Sequence, residues 1–432
     1  MSAATQRLAN MPHNRSASLP SGITSVCSAH PVVIEAALMH GKNRNADVLI
    51  EATCNQVNQE GGYTGMNPAA FRTFVEKIAV KVGFPLDQLV LGGDHLGPNP
   101  WKHLAAGGAM RKASEMIDAY AAAGFTKLHL DTSMACAGDP QAVPNETIAS
   151  RAAELAAVSE ARVRQSGMQA PSYVIGTEVP VPGGAVEALD HLHITTPADA
   201  RETVELHRAA FSRLGLDEAF ARAIGIVVQP GVEFGNAEVI GYERQAAAEL
   251  VATLGDIPQF VFEAHSTDYQ SQRALCDLVG DGFAILKVGP WLTFALREAL
   301  YGLSAIAGIL VPNAIHEPLP TAMERIMLSS PDHWQKYYPG DARQQHVQRH
   351  YSFSDRIRYY WTAPAAQNAV NELMSALQGL TIPRPLMSQH LGHLEPMVAS
   401  GSLAPQADAI VLGSVARVLD IYADAINSAA QS

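Results

Sequence analysis

A chain of 432 residues is long enough for one large domain with an appendage or for two domains, and its 47 % hydrophobic content describes an ordinary globule with a sizeable core. The formal charge of −12 leaves no basic surplus to neutralise phosphates. That argues against nucleic acid as a partner but not against an anionic substrate, which needs only two or three local donors. The polar opening "MSAATQRLANMPHNRSASLPSG" is read as neither signal peptide nor anchor, and no apolar run reaches the roughly 20 residues expected of a spanning helix, so no membrane is expected.

Short apolar runs then recur in chain order. They are "GITSVCSAHP" (22–31), "ADVLIEATCNQ" (46–56), "QLVLGGDH" (88–95), "TKLHLDTS" (126–133), "SYVIGTEVP" (172–180), "IGIVVQPG" (224–231), "QFVFEAHST" (259–267) and "FAILKVGP" (283–290). Amphipathic stretches such as "AMRKASEMIDAYAAAG" separate them. Apolar runs closed by turns and alternating with helices predict parallel strands buried on both faces. Eight such units fit an α/β fold of the (β/α)₈ TIM-barrel type over residues 1–310. A doubly wound open sheet is the alternative, but it calls for a phosphate-binding glycine turn after the first strand, which is missing. Residues 311–432 read as a mainly helical extension packed on the barrel, with Ser354 as a helix cap. Its Arg349, Arg356 and Arg358 could reach a phosphate, although solvated or paired arginines are the ordinary reading.

Cys27, Cys54, Cys136 and Cys276 lie far apart without a C-x-x-C pair. Neither a disulfide scaffold nor a cysteine zinc site is expected, and a cytoplasmic protein is.

In a barrel, polar residues just past each strand converge on one face. Here these are Asn55, Asp94, His95, Asp131, Glu178, Gln229, His265 and Lys287. His95 and His265 are candidate metal ligands, the bland alternative being hydrogen-bonded structural histidines. His30, beside Pro31, is a weaker candidate. His129 and Asp131 share a strand face, which also suits a plain buried His–Asp hydrogen bond. Asp94 and His95 are adjacent, so both face the site only if the strand stops at Gly92-Gly93 and a loop begins there. Asp94 is then a reasonable general acid/base.

Together "GGDHLGPNPW", "TEVPVPGG", "FEAHSTDYQ" and "LKVGPWLTFALREAL" resemble the class II, metal-dependent sugar-bisphosphate aldolases. The fuller resemblance is to the GatZ/KbaZ family, the tagatose-bisphosphate aldolase "non-catalytic" subunits, over nearly the whole chain. It implies Asp94 and Glu178 as catalytic residues, and His95, His265 and, in place of a second histidine, Gln229 as ligands of zinc or another divalent cation. It further implies Asn55, Asp131, Gly183, Gly184, Ser266 and Lys287 as substrate contacts. Where the aldolases carry a glycine-serine phosphate loop, this chain has "HSTDYQ", so bisphosphate cleavage is not expected. The resemblance implies C4 epimerisation of a sugar phosphate, tagatose 6-phosphate to fructose 6-phosphate. The alternative is a stabilising partner for a class II aldolase catalytic subunit, and a homo-oligomer also fits. A kinase is not expected, because no G-x-x-x-x-G-K-[ST] is present.

Overall fold

A computed structural model describes residues 2–16, 21–179 and 192–431. Eight parallel strands close into a barrel: β1 (Ile23–Cys27), β2 (Val48–Thr53), β3 (Leu89–Leu96), β4 (Lys127–Leu130), β5 (Ser172–Ile175), β6 (Ala223–Val228), β7 (Val261–Ala264) and β8 (Phe283–Val288). Each strand pairs with the next, and β8 returns to β1. Every strand falls within one of the apolar runs read from the sequence, extended by a residue at either end in β3 and β6. Helices follow the strands, as in Pro31–Arg44 after β1 and Pro290–Leu310 after β8. Both begin with proline at the first helical position, where a missing N–H costs nothing.

Because alternate strand residues share a face, the interior reads as columns of every second residue. At the N-terminal end lie Ile23, Leu49, Val90, Ile224, Val261 and Ile285. Helices Ala3–Ala9 and Met11–Ser16 bring Ala4, Leu8 and Met11 onto this layer and close that end of the barrel with hydrocarbon. Two residues further along the same columns stand Glu51, Glu263 and Lys287, joined by Lys127 of β4. Glu51, Lys127 and Glu263 are fully buried and Lys287 is 4 % exposed. The barrel is therefore apolar at its closed end, ionic in its middle and polar at its C-terminal mouth.

Strand β3 does not stop at Gly92-Gly93 but runs to Leu96. A register shift against β4 between Gly93 and Leu96, together with a left-handed His95 (φ 48°), turns both Asp94 and His95 toward the mouth. An extra residue in a strand and a positive φ break strict alternation as effectively as a loop. Gly92 serves another purpose, since a Cβ there would lie 2.6 Å from Glu51 Oε1 and only glycine leaves room for the buried carboxylate.

The extension is helical, with Leu319–Ser329, Ala342–Tyr351, Pro364–Ala376 and Ala407–Ala429 as its longest members. The last of these packs against helices Pro31–Arg44, Gln272–Gly280 and Pro290–Leu310, taking a place in the outer ring beside β1. Tyr422 of this helix donates to the Thr267 carbonyl at 2.7 Å, and Ser414 to that of Ala295 at 2.9 Å. Ser354 caps no helix; its hydroxyl donates to Asn236 Oδ1 at 2.8 Å. Helix Pro290–Leu310 has the length and hydropathy of a membrane span, yet 67 % of its most apolar window is buried inside the fold. A core helix meets the same criteria, and no other helix among the described residues does.

Candidate active site

Three imidazoles gather at the mouth of the barrel, and each is held by a carboxylate. His95 Nδ1 lies 2.7 Å from Asp131 Oδ2, His129 Nδ1 lies 3.0 Å from Asp94 Oδ1, and His265 Nε2 lies 3.0 Å from Glu263 Oε1. The three ring centres are 4.8 to 5.2 Å apart. Asp94 also meets Lys287 Nζ at 2.6 Å. Beneath them, Lys287 pairs with Glu51 and lies 3.3 Å from Glu263, while Lys127 bridges Glu51 at 2.6 Å and Glu263 at 2.7 Å.

Burial and pairing compete at each group. Burial opposes the ionisation of Asp94, but His95, Lys287 and His129 outweigh it and hold the carboxyl well below its usual range. Glu263 is held down against burial in the same way by Lys127, Lys287 and His265. Burial pushes His265 down to about 3, with its Glu263 hydrogen bond only partly opposing. It is therefore neutral at physiological pH, the form that binds metal. Burial lowers His95 too, yet Asp94 and Asp131 prevail and raise it above its ordinary value.

This constellation fits a divalent cation on several independent grounds. The carboxylates behind His95 and His265 fix those rings, as in metal-bound histidines, and leave each its other nitrogen for a ligand; His129 Nδ1 lies between Asp94 Oδ1 and the His95 N–H, which donates to it at 3.2 Å. His129 Nε2 is buried and has no hydrogen-bond partner. Asp94, His95, His129 and His265 each offer a ligand atom within 4.8 Å of the others. Imidazoles bound at about 2.0–2.1 Å to one tetrahedral ion would have ring centres about 5.2 Å apart, close to the spacing found. Finally, Glu51, Asp94, Asp131 and Glu263 outnumber Lys127 and Lys287 by two formal negative charges, of which a protonated His95 offsets only one.

Above the cluster is a cavity of about 90 Å³ reached by Asn55, Asp94, His95, His265, Ser266 and Lys287. Asp131 stands behind His95 and is absent from the cavity wall. Gln229 turns away from the cluster: its side-chain oxygen accepts from the Gly231 and Val232 amides at 2.8 and 3.0 Å and shapes its own loop. Glu178 is exposed and accepts from the Thr195 hydroxyl at 2.6 Å, also outside this cavity. Gly183 and Gly184 lie outside the described residues. His30 caps helix Pro31–Arg44, accepting from Val32 N–H at 3.3 Å.

Sequence reasoning did not single out His129 as a ligand, or the Glu51, Lys127 and Glu263 layer at all. The signal was a charged residue in the middle of an apolar strand, as in "VLIEAT" and "VFEA". It also missed Tyr63, Phe234, Asp268 and Tyr359 around the cavity.

A family model described as D-tagatose-1,6-bisphosphate aldolase subunit GatZ/KbaZ-like matches residues 8–427. A D-tagatose 6-phosphate 4-epimerase of Agrobacterium fabrum (strain C58 / ATCC 33970) is 53 % identical over 97 % of this chain and 98 % of its own. A protein named D-tagatose-1,6-bisphosphate aldolase subunit GatZ, from Salmonella newport (strain SL254), is 48 % identical over 93 % of this chain and 95 % of its own. Among solved structures, a probable tagatose 6 phosphate kinase from Sinorhizobium meliloti 1021 superposes with a TM-score of 0.87 at 56 % identity, covering 94 % of this chain and all of the other.

Proposed function

The chain belongs to the D-tagatose-1,6-bisphosphate aldolase subunit GatZ/KbaZ-like family, and from that premise we propose that it inverts C4 of a ketose phosphate, converting tagatose 6-phosphate to fructose 6-phosphate. The name of the Agrobacterium relative supports the substrate. One observation carries the chemistry: an ionised Asp94 stands among three buried imidazoles, each backed by a carboxylate.

In a 2-ketose the C4 proton is not alpha to the carbonyl, so deprotonation alone does not invert that carbon. Oxidation at C4 calls for a nicotinamide, and no G-x-G-x-x-G follows a strand. The remaining route breaks C3–C4. Asp94 takes the O4 proton as the C3–C4 electron pair passes into the three-carbon enediolate, leaving glyceraldehyde 3-phosphate. The aldehyde turns over its other face, C3 attacks it, and Asp94 returns the proton to O4. Electrons and protons balance over the cycle. Lys287 at 2.6 Å and His129 at 3.0 Å hold the Asp94 carboxylate in place. His95, His129 and His265 are the residues that would hold a divalent cation, zinc or another. When bound, the ion supplies Lewis acidity to the ketose oxygens that gain negative charge. We place the reaction in the cytoplasm, a setting supported by four unpaired cysteines.

The test is direct. Purified protein should convert tagatose 6-phosphate to fructose 6-phosphate, lose that activity to a chelator and regain it with a divalent ion. No turnover with any added ion would refute the proposal. A second reading, a stabilising partner of a catalytic aldolase subunit, is favoured by the subunit name of the 48 % identical Salmonella relative. Asp94→Asn separates the two: an epimerase loses about 10²–10⁴ in rate, whereas a scaffold still supports its partner. The kinase name given to the Sinorhizobium protein has no matching phosphate loop in this chain.

A further inference from the structure

The usual anion site of a TIM barrel lies after its seventh and eighth strands, at a helix N-terminus. Here that position is taken. Asp268, in the loop after β7, accepts from the Gly289 amide at 3.0 Å and the Trp291 amide at 2.8 Å, so a carboxylate already caps helix Pro290–Leu310. A substrate phosphoryl group needs another anchor, and the cavity above the imidazole cluster is not isolated. At about 90 Å³ it opens beside a larger cavity of about 670 Å³ between the barrel mouth and the extension. The two share Cys27, Gln56, Tyr63, Gly289 and Arg358.

Arg358 is the cation at that neck. Its Nη1 donates to the carbonyls of Ser354 and of Asp355, and its Nη2 to the Tyr359 hydroxyl at 3.0 Å. These bonds fix the guanidinium without neutralising it. No carboxylate among the described residues lies within 4 Å of it, whereas Arg349 is bound to Glu324 and Arg297 lies 3.8 Å from Asp355. Arg356 donates to the His333 carbonyl and stacks on Tyr337. Of five N–H groups on a guanidinium, Arg358 retains Nε–H and one on Nη2.

We propose that Arg358 anchors the terminal phosphoryl group of an open-chain ketose phosphate at the neck of the two cavities, so that the helical extension completes the binding site. The inference rests on the epimerase reading for its substrate class but is testable apart from it. Isothermal calorimetry on the full chain would compare fructose 6-phosphate with fructose for wild type, Arg358→Gln and Arg358→Lys. Loss of a charge-assisted anchor should weaken fructose 6-phosphate about 10- to 100-fold in the Gln variant. The Lys variant should fall in between, and inorganic phosphate should compete in wild type.

Where turnover is measurable, the preference for tagatose 6-phosphate over tagatose, as a ratio of kcat/KM values, should fall by a similar factor. Should Arg358→Gln fail to fold, phenylglyoxal labelling of Arg358 in wild type replaces it. Protection by fructose 6-phosphate and not by fructose supports the anchor, and absence of protection overturns it. Equal binding of fructose 6-phosphate by wild type and Arg358→Gln also overturns it, with the epimerase reading intact. Arg358-dependent binding without any turnover has the reverse meaning.

Discussion

Replacing Glu233 by Gln tests how the mouth of the barrel handles buried charge. Glu233 is 5 % exposed; its Oε1 accepts the Phe234 N–H at 2.9 Å, the Ser266 hydroxyl also favours its ionised form, and it faces the carboxyl of Asp268. Burial therefore raises its pKa from 4.5 to about 7, with Asp268 adding to the effect. Below pH 4.5 the acid is protonated in folded and unfolded chains alike, and it contributes nothing to the pH dependence. Between 4.5 and 7 the unfolded chain releases the proton first, so stability falls as pH rises. Above 7 the loss is complete, at about 3 kcal/mol for a shift of this size. Gln keeps the shape of the neutral acid without titrating. Glu233→Gln should thus exceed wild type by about 3 kcal/mol at pH 8 and by less than about 1 kcal/mol at pH 5. With unfolding entropy near 2.1 cal/mol/K per residue, that is a rise in Tm of about 3–4 °C at pH 8. Differential scanning fluorimetry at both pH values reads it, and the difference between them cancels any change in packing. A Tm shift of equal size at pH 5 and pH 8, or a lower Tm at pH 8, would show that Glu233 is ionised in the folded chain.

Other substitutions separate the layers of the barrel. Lys127→Met removes the ammonium group that bridges Glu51 and Glu263; it should cost about 3–5 kcal/mol in urea unfolding, because two buried carboxylates then share Lys287 alone. His129→Gln should lower the content of divalent metal retained after dialysis, measured by plasma mass spectrometry, while unaltered content would remove His129 from the ligand set. Gln229→Ala should leave metal content as in wild type and cost about 1–3 kcal/mol, since the Gly231 and Val232 amides lose their acceptor.

Much of this was legible in the sequence because parallel strands buried on both faces leave a simple trace. The eight apolar runs mark the eight strands, and the polar residues closing them mark the mouth. The imidazoles of His95 and His265, 170 residues apart in sequence, stand with ring centres 4.8 Å apart because strand ends in a closed barrel converge. What local pattern does not encode is direction where the backbone departs from a regular strand. Asp94 and His95 face the same space through a register shift and a positive φ that no residue preference announces. Gln229 follows its strand as a ligand would, yet its oxygen satisfies the amides two and three residues on, a local bond that sequence position alone does not reveal. The part proposed for Arg358 depends on packing across most of the chain, which places a residue of the extension over the loop after β2.

The ionic layer bears on the choice between enzyme and scaffold. Four carboxylates, two ammonium groups and three imidazoles stand in the barrel and at its mouth, each no more than 4 % exposed. Replacing buried ionic groups of this kind with hydrocarbon of similar volume is often neutral or stabilising by about 1–4 kcal/mol. A barrel that served only to support a partner would be at least as stable with valine and leucine at these positions, as it already is at Leu49, Val90 and Val261 one layer below. Lys127 and Lys287 do not close the charge balance either, so the layer is a poor device for stability alone. Its arrangement is explained if each carboxylate also has a part in the chemistry. Glu263 and Asp131 orient imidazoles, Asp94 stands where the proposed mechanism transfers a proton, and Glu51 holds the lysine that fixes Asp94. Glu51→Gln with Lys127→Met keeps the local charge balance and tests this directly. The pair should retain most of the stability that Lys127→Met alone loses, yet still slow the C4 inversion, because Lys287 is then less firmly placed against Asp94. Full activity in the double variant would reduce the layer to packing.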